Sequence, residues 1–238
     1  MEQDLRIIIL SPPHISLTHE QGQFYFSQMC NMKIQGYRHI HGSYALPLDH
    51  YDYISDHILI GLKKKSDVNY RIISGYRSLS FNYCQNQKIE FDVLKTIRES
   101  GNLKCLEEVK NIITKCKENN IDISHDSRWT ILPEFNDNVR LKHKCFQLVL
   151  TSLFYYHQTK NIKNEWFAMG VNSLNTDKIF YKSGGVNVGK NPYFYLTMPY
   201  GKKQKMTLIH AAFNRNESEI AKIAEENKKI WENRLIID

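Results

Sequence analysis

Ser124-His125-Asp126-Ser127-Arg128-Trp129-Thr130-Ile131-Leu132-Pro133-Glu134-Phe135 is the stretch that decides how this chain folds. A polar, charged cluster runs straight into a β-type apolar run that a proline closes. Charged side chains at the mouth of a buried strand are costly unless they are paired or used. Two more such places precede it: Asp49-His50-Tyr51-Asp52, and Arg77 at the end of the strand-like Tyr70–Arg77. Together the three predict a polar pocket built on a sheet.

Working outward, Asp4–Leu10 reads as a short strand closed by Pro12-Pro13. A helix is expected from His19 to Ile34, with Phe26, Met29, Cys30 and Lys33 or Ile34 at helical spacing and Gly36 as its stop. His57–Lys63 and Tyr70–Ser80 form an antiparallel hairpin. Residues 89–100 and 103–119 read as helices, the second with the stripe Leu106, Val109, Ile112, Ile113 and Cys116. A strand over Trp129–Phe135 follows, then a helix over 140–160 and a strand over Glu165–Val171. Ser173 caps a short helix that stops at Gly184-Gly185. Val186–Met198 and Lys205–Phe213 make a closing strand pair, and Asn214–Glu217 resembles a capping box for the last helix. The crossover between 129–135 and 165–171 makes those strands parallel neighbours. No repeat or Pro/Gly/Ser linker divides the chain, so one domain is expected over 1–238.

Composition narrows the function classes. Apolar residues make up 42% of the 238, enough for a substantial core. No run approaches the roughly 18–20 apolar residues that span a bilayer. The start, Met1-Glu2-Gln3-Asp4-Leu5-Arg6, lacks the plan of a signal peptide, so a cytoplasmic protein is expected. Five scattered cysteines, Cys30, Cys84, Cys105, Cys116 and Cys145, argue for reduced thiols rather than a disulfide framework or zinc ribbon. The net charge of +7 can steer nucleic acid, an anionic membrane surface or an acidic protein partner, or mark only a lysine-rich solvated surface. Its only dense run, Lys63-Lys64-Lys65, falls in the expected hairpin loop, which favours the solvated surface, and a nucleic-acid partner is not expected.

The element order and the charged clusters resemble the GNAT acyltransferase superfamily, and within it the autoinducer-synthase branch: acyl-homoserine-lactone synthases and the related N-acyl amino acid synthases. The likeness covers roughly residues 20–200. The family's Asp-x-x-Asp is Asp49-His50-Tyr51-Asp52, and its strand-ending arginine is Arg77 in Gly75-Tyr76-Arg77. Its Glu-x-Ser-Arg corresponds to His125-Asp126-Ser127-Arg128, and Gly36-Tyr37 stands where the family commonly has Gly-Trp. The acid is displaced by one position, to Asp126, and Ser27 stands where the family has an arginine. Extra helical sequence separates Arg77 from Arg128. The resemblance implies an α/β fold: a GNAT-like, mainly antiparallel central sheet with a parallel, splayed strand pair near 130 and 168, flanked by helices.

It also implies a donor. GNAT enzymes bind the coenzyme A pyrophosphate at a helix start through Arg/Gln-x-x-Gly-x-Gly/Ala, where bare backbone N–H groups approach phosphate. Here that stretch is Arg140-Leu141-Lys142-His143-Lys144-Cys145: the arginine is kept, the small residues are gone, and the lysines supply charge. An acyl-carrier-protein thioester is therefore expected ahead of acyl-CoA, as a co-substrate, with no tightly bound cofactor. The implied acceptor is a small amino-acid-like amine, and the product an N-acyl amino acid or N-acyl homoserine lactone.

Acyl transfer needs a deprotonated amine, a polarised thioester carbonyl, a holder for the acceptor's carboxylate and a slot for the tail. Asp126 is the first candidate base and His125 a competing one; either can instead be an ordinary paired side chain. Arg77 and Arg128 can hold a carboxylate by a bidentate fork, or close an internal ion network with Asp49 and Asp52. The two roles are compatible. Ser127 orients a neighbour, and Tyr37 lines the acceptor side. Tyr193, Phe194 and Tyr195 with Phe154, Phe167 and Met169 either line an acyl channel or pack the core. His39 and His41, two apart on a strand, share a face, but no third ligand follows at a recognisable spacing, so no metal is expected. The competing functions are a GNAT N-acetyltransferase using acetyl-CoA or acyl-CoA on a protein or small amine, and a non-catalytic basic binding module.

Overall fold

The computed structural model describes residues 4–43, 47–159, 164–197, 203–212 and 218–238. They gather into two compact units: Met1–Ser78, Arg128–Tyr155 and Ala221–Asp238 form one, Leu79–Ser127 and Tyr156–Ile220 the other.

The first unit is built on β1 (Asp4–Leu10), its neighbours and the helix α2 (Glu20–His41), which follows the single turn α1 (Pro13–Ser16). β1 pairs antiparallel with β2 (Asp56–Lys63), from Asp4↔Lys63 to Leu10↔His57. β2 pairs antiparallel with β3 (Arg71–Ser80), with an irregularity at Ile60/Gly61. Ile7, Ile8, Leu10, Ile58, Leu59 and Ile60 are fully buried or nearly so. Such continuous apolar runs belong to strands covered on both faces.

α2 buries Tyr25, Met29, Met32, Lys33 and Gly36 along one stripe. It does not stop at Gly36, and the reason is packing. A Cβ there would lie 2.2 Å from Thr130 Cγ2 and 2.9 Å from the Ile131 carbonyl oxygen. The glycine is a point of close approach, not a terminator, and the helix ends at Gly42, whose φ of 93° suits only glycine. His39 and His41 consequently sit on a helix, where residues two apart do not face each other.

The second unit carries the helices α3 (Phe81–Asn86), α4 (Asp92–Glu99) and α5 (Leu103–Glu118). α5 buries Cys105, Leu106, Val109, Ile113 and Cys116, close to the expected stripe. β4 (Asp122–Ile131) begins seven residues before the expected Trp129, and Pro133–Phe135 is a 3-10 turn. Its first five residues are all buried, although three of them, Asp122, His125 and Asp126, are titratable. Each has a partner: the Ser80 hydroxyl donates to Asp122 at 2.8 Å, and His125 and Asp126 are paired as described below.

The helix α6 (Val139–Thr159) separates β4 in sequence from β5 (Asn164–Val171). β4 and β5 pair in parallel from Asp122↔Asn164 to Asp126↔Ala168. A parallel partner for the strand over 165–171 is as expected, but the partner is Asp122–Asp126, and none of the expected 129–135 lies in this register. After the helix α7 (Thr176–Lys182) come β6 (Val186–Asn187), β7 (Tyr193–Thr197) and β8 (Lys203–Ala211). β8 pairs antiparallel with β5, β6 and β7. Gly189, at φ 63°, interrupts the strand expected to run unbroken over Val186–Met198. α7 starts after Asn175, in a left-handed conformation, rather than from Ser173.

α8 (Ser218–Glu226) and α9 (Lys228–Glu232) lead to β9 (Leu235–Ile237), which pairs in parallel with β1 and gave no signal in the sequence. The capping box at Asn214–Glu217 lies outside the described residues. The architecture is α/β, with mainly antiparallel strand pairs, two parallel ones among the described residues, and flanking helices. Replacing Gly36 by valine is expected to cost about 1–3 kcal/mol of stability, the usual penalty for forcing volume into a packed contact. Urea unfolding of Gly36→Val against wild type measures it.

Candidate active site

In the first unit the Asp-x-x-Asp stretch forms one turn of 3-10 helix, His50–Tyr53, capped by Asp49. Asp49 Oδ1 accepts from Tyr51 N at 3.0 Å, and Asp52 Oδ2 accepts from Asp49 N at 3.0 Å. This reciprocal capping fixes both carboxylates by their own backbone. Their remaining oxygens face three cations.

Lys33, from the buried stripe of α2, donates to Asp52 Oδ1. Arg77, buried near the end of β3, donates to Asp49 Oδ1 at 2.5 Å and Oδ2 at 3.4 Å, and lies 3.3 Å from Asp52 Oδ1. Arg128 donates to Asp49 Oδ2 at 3.2 Å, with its guanidinium 5.8 Å from the centre of the Tyr37 ring. Asp49, Asp52, Arg77, Arg128 and Tyr37 are thus brought together. Lys33 was missed as a site residue, although a lysine among Met29, Met32 and Gly36 on an apolar stripe was its signal.

Three cations, Lys33, Arg77 and Arg128, thus face the two carboxylates. Lys33, Asp52 and Arg77 are buried, whereas the side chains of Arg128 and Asp49 are 35% and 29% exposed. Solvent reaches the cluster at its arginine end. Burial pushes the Lys33 ammonium down to about 8, against the pull of Asp52. Burial would raise the Asp52 carboxyl, but Lys33 and then Arg77 outweigh it and hold it below the usual carboxylate range. His57 on β2 donates from Nε2 to the Asp52 carbonyl at 2.8 Å, and its Nδ1 has no partner among the described residues. Burial, reinforced by Lys33, pushes that imidazole down to about 3.

In the second unit, Asp126 and His125 occupy successive positions of β4 and so point to opposite faces. Asp126, buried, pairs through Oδ2 with His157 Nε2 at 2.6 Å. Asn164 Nδ2 lies 2.8 Å from His157 Nδ1, and the imidazole stacks on Trp166. His125, also buried, places Nδ1 2.5 Å from Asp92 Oδ1. His157, Asn164 and Asp92 are partners that no sequence spacing announces. Ser127 is half-buried on β4.

Regular pairing of β4 with β5 ends at Asp126↔Ala168, although β5 continues to Val171 and β4 to Ile131. Arg128 has φ 62°, the left-handed region, at a cost of roughly 1–2 kcal/mol for a residue with a Cβ. A bulge-like turn of this kind breaks the two-residue alternation of the strand.

The four residues expected to meet the donor lie on α6. Arg140, Lys142 and His143 are exposed, while Lys144 is half-buried and donates to Asn227 Oδ1 at 2.5 Å. Leu141 N donates to Asn138 Oδ1 at 3.0 Å, so a side chain already satisfies part of the helix start. Of the aromatic run on β7, Phe194 is buried while Tyr193 and Tyr195 are exposed. Among the described residues no cluster of three or more His, Cys, Asp or Glu is placed to hold a metal ion. No helix among them is long and apolar enough to cross a membrane.

This arrangement of strands and helices is a GNAT-like mixed α/β fold. Two solved structures carry the likeness. One is the AHL synthase LasI, with a TM-score of 0.56 and 13% identity over 92% of this chain and 94% of that one. The other is FeeM, an N-acyl amino acid synthase from uncultured soil microbes, with a TM-score of 0.51 and 10% identity over 94% of this chain and 99% of that one. At such identities the likeness is one of fold. No protein-family model and no curated protein matches the sequence.

The buried imidazole sets an acid limit on stability. Between about pH 3 and 6.5 the unfolded His57 binds a proton that the folded one does not, so stability falls as pH drops through that window. Asp52, with its carboxyl held low, adds its loss only below the ordinary carboxylate range near pH 4. The slope between pH 6.5 and 4 is expected to approach 1.4 kcal/mol per pH unit from His57. His57→Gln, which keeps a donor for the Asp52 carbonyl, should flatten it in urea titrations at pH 7, 5.5 and 4.5.

Proposed function

We propose that this chain is an N-acyltransferase. It moves an acyl group from a thioester to the amine of a small amino-acid-like acceptor, giving an N-acyl amino acid or N-acyl homoserine lactone type of product. One observation carries the reading: a fixed ion cluster that solvent reaches at Arg128. A guanidinium held by Asp49 on one side and Tyr37 on another suits the carboxylate or carbonyl end of an amino-acid-like molecule. Asp49, Asp52 and Arg77 hold it there, and Ser127 orients the neighbouring backbone.

The chemistry is attack of the amine nitrogen on the thioester carbon, loss of the C–S bond and transfer of one amine proton to a base. Asp126, with His157 behind it, and His125, with Asp92 behind it, are the bases the second unit offers. Where β5 runs on beyond Ala168, its backbone leaves the regular β4 register; the Val171 N–H there already donates to Thr176 Oγ1 at 2.6 Å, so a role in polarising the thioester oxygen falls to the N–H groups before it. The names of the two structural neighbours, one an AHL synthase and one an N-acyl amino acid synthase, support acyl transfer.

For the donor we favour an acyl-carrier protein. Arg140, Lys142 and His143 offer exposed cationic or hydrogen-bonding groups on α6, in keeping with a phosphopantetheine phosphate and an acidic protein around it. The absence of glycine at 143 and 145 favours side-chain over backbone contact to that phosphate. An acyl-CoA donor is the second reading.

Mass spectrometry of lipid extracts from cells expressing wild type or Arg128→Ala tests the proposal. An N-acylated amine found with wild type and reduced at least tenfold in the variant is expected, since a lost charge-assisted contact is worth about 1.5–3 kcal/mol. Extracts identical to those of cells lacking the protein would refute it.

A further inference from the structure

On the face of β4 that carries His125, one buried ring nitrogen has no hydrogen-bond partner among the described residues. With the Asp92 carboxylate 2.5 Å from Nδ1, the proton of the neutral ring sits on Nδ1, because a carboxylate only accepts. The lone pair is therefore at Nε2. That atom is buried and has no partner among the described residues. Leaving a buried polar atom without a partner carries a desolvation cost.

The surroundings keep that lone pair apolar on its flanks. Phe91 meets the imidazole edge-on at 6.5 Å, Phe81 meets Phe91 at 5.4 Å, and Phe167 is the strand partner of His125. Nearby Cys84 is no rival nucleophile, since burial, with Asp92 and Asp122, pushes its thiol up to about 12. Asp92 comes from the first turn of α4, in the helical segment between Arg77 and Arg128. A base oriented by a carboxylate, with its other nitrogen unpartnered, is the general arrangement of an activated proton acceptor.

We propose that His125 Nε2 takes the proton of the incoming amine, directly or through one water, and that Asp92 is the positioning residue that fixes the ring in the required tautomer. The proposal rests on the N-acyltransferase reading and selects His125 over Asp126 as its base. As the neutral amine nitrogen bonds to the thioester carbonyl carbon, one N–H proton passes to Nε2 and the ring becomes an imidazolium held by Asp92. The C–S bond breaks, and the departing sulfur takes that proton. Amide and thiol leave, and the ring is neutral again.

The experiment uses the full chain with decanoyl-CoA and with decanoyl-loaded acyl-carrier protein, each against a pool of amino acids, with product measured by mass spectrometry. Once an active pair is found, His125→Gln is expected to lower kcat about a hundredfold with KM little changed. Asp92→Asn should lower kcat by a smaller factor, and Asp92→Glu should restore part of it. In 15N spectra of the imidazoles, His125 of the folded wild type should read as the Nδ1–H tautomer and shift toward Nε2–H in Asp92→Asn. That readout does not depend on turnover, and thermal unfolding shows that each variant is folded. Wild-type kcat in His125→Gln, or an Nε2–H tautomer in the wild type, overturns the assignment while leaving acyl transfer standing. No product from wild type with either donor overturns the acyltransferase reading, and the base with it.

Discussion

A lysine ammonium buried against a carboxylate, Lys33 on Asp52, is the constraint on which the first unit turns. Neither charge survives in an apolar interior alone; removing one partner of such a pair typically costs about 3–5 kcal/mol. Asp52 is fixed by its own capping turn and Lys33 by the buried stripe of α2, so their contact locks the helix to the 3-10 turn. Arg77 then bridges Asp52 and Asp49, and Asp49 in turn holds Arg128. Charge compensation runs from the buried end to the end that solvent reaches.

β4 shows a related trade in the second unit. A strand that buries Asp122, His125 and Asp126 gives up apolar burial and must satisfy each group. It does so with Ser80, Asp92 and His157, drawn from different parts of the unit. The regular β5 register stops at Asp126, and two residues further along the chain the backbone enters the left-handed region at Arg128. Strain of this kind, with an interrupted ladder, is concentrated where a fold has work to do besides packing.

Much of this could be read from residue order, but unevenly. The hairpin of β2 and β3, the stripe of α5 and the parallel partnership of β4 and β5 follow from periodicity and turn residues, which are local. The grouping of Asp49, Asp52, Arg77 and Arg128 was legible because polar clusters beside apolar runs are conspicuous. The start of β4 was not, since a buried Ser-His-Asp-Ser does not look like a strand until its partners are known. Gly36 misled for a similar reason: whether a glycine ends a helix or admits a neighbour depends on Thr130, far away in sequence. Asp92, His157 and Asn164 carry no local mark, because their roles exist only through residues brought to them by the fold.

The cluster ending in Arg128 is proposed to recognise the carboxylate end of an amino-acid-like molecule. Calorimetric titration of the protein with N-decanoylglycine and with its primary amide decides between that role and a purely internal one. The two ligands share a tail and differ in one charge. The carboxylate is expected to bind at least tenfold more tightly, the worth of a charge-assisted hydrogen bond of about 1.5–3 kcal/mol. Equal affinity for the two, or tighter binding of the amide, rules the role out.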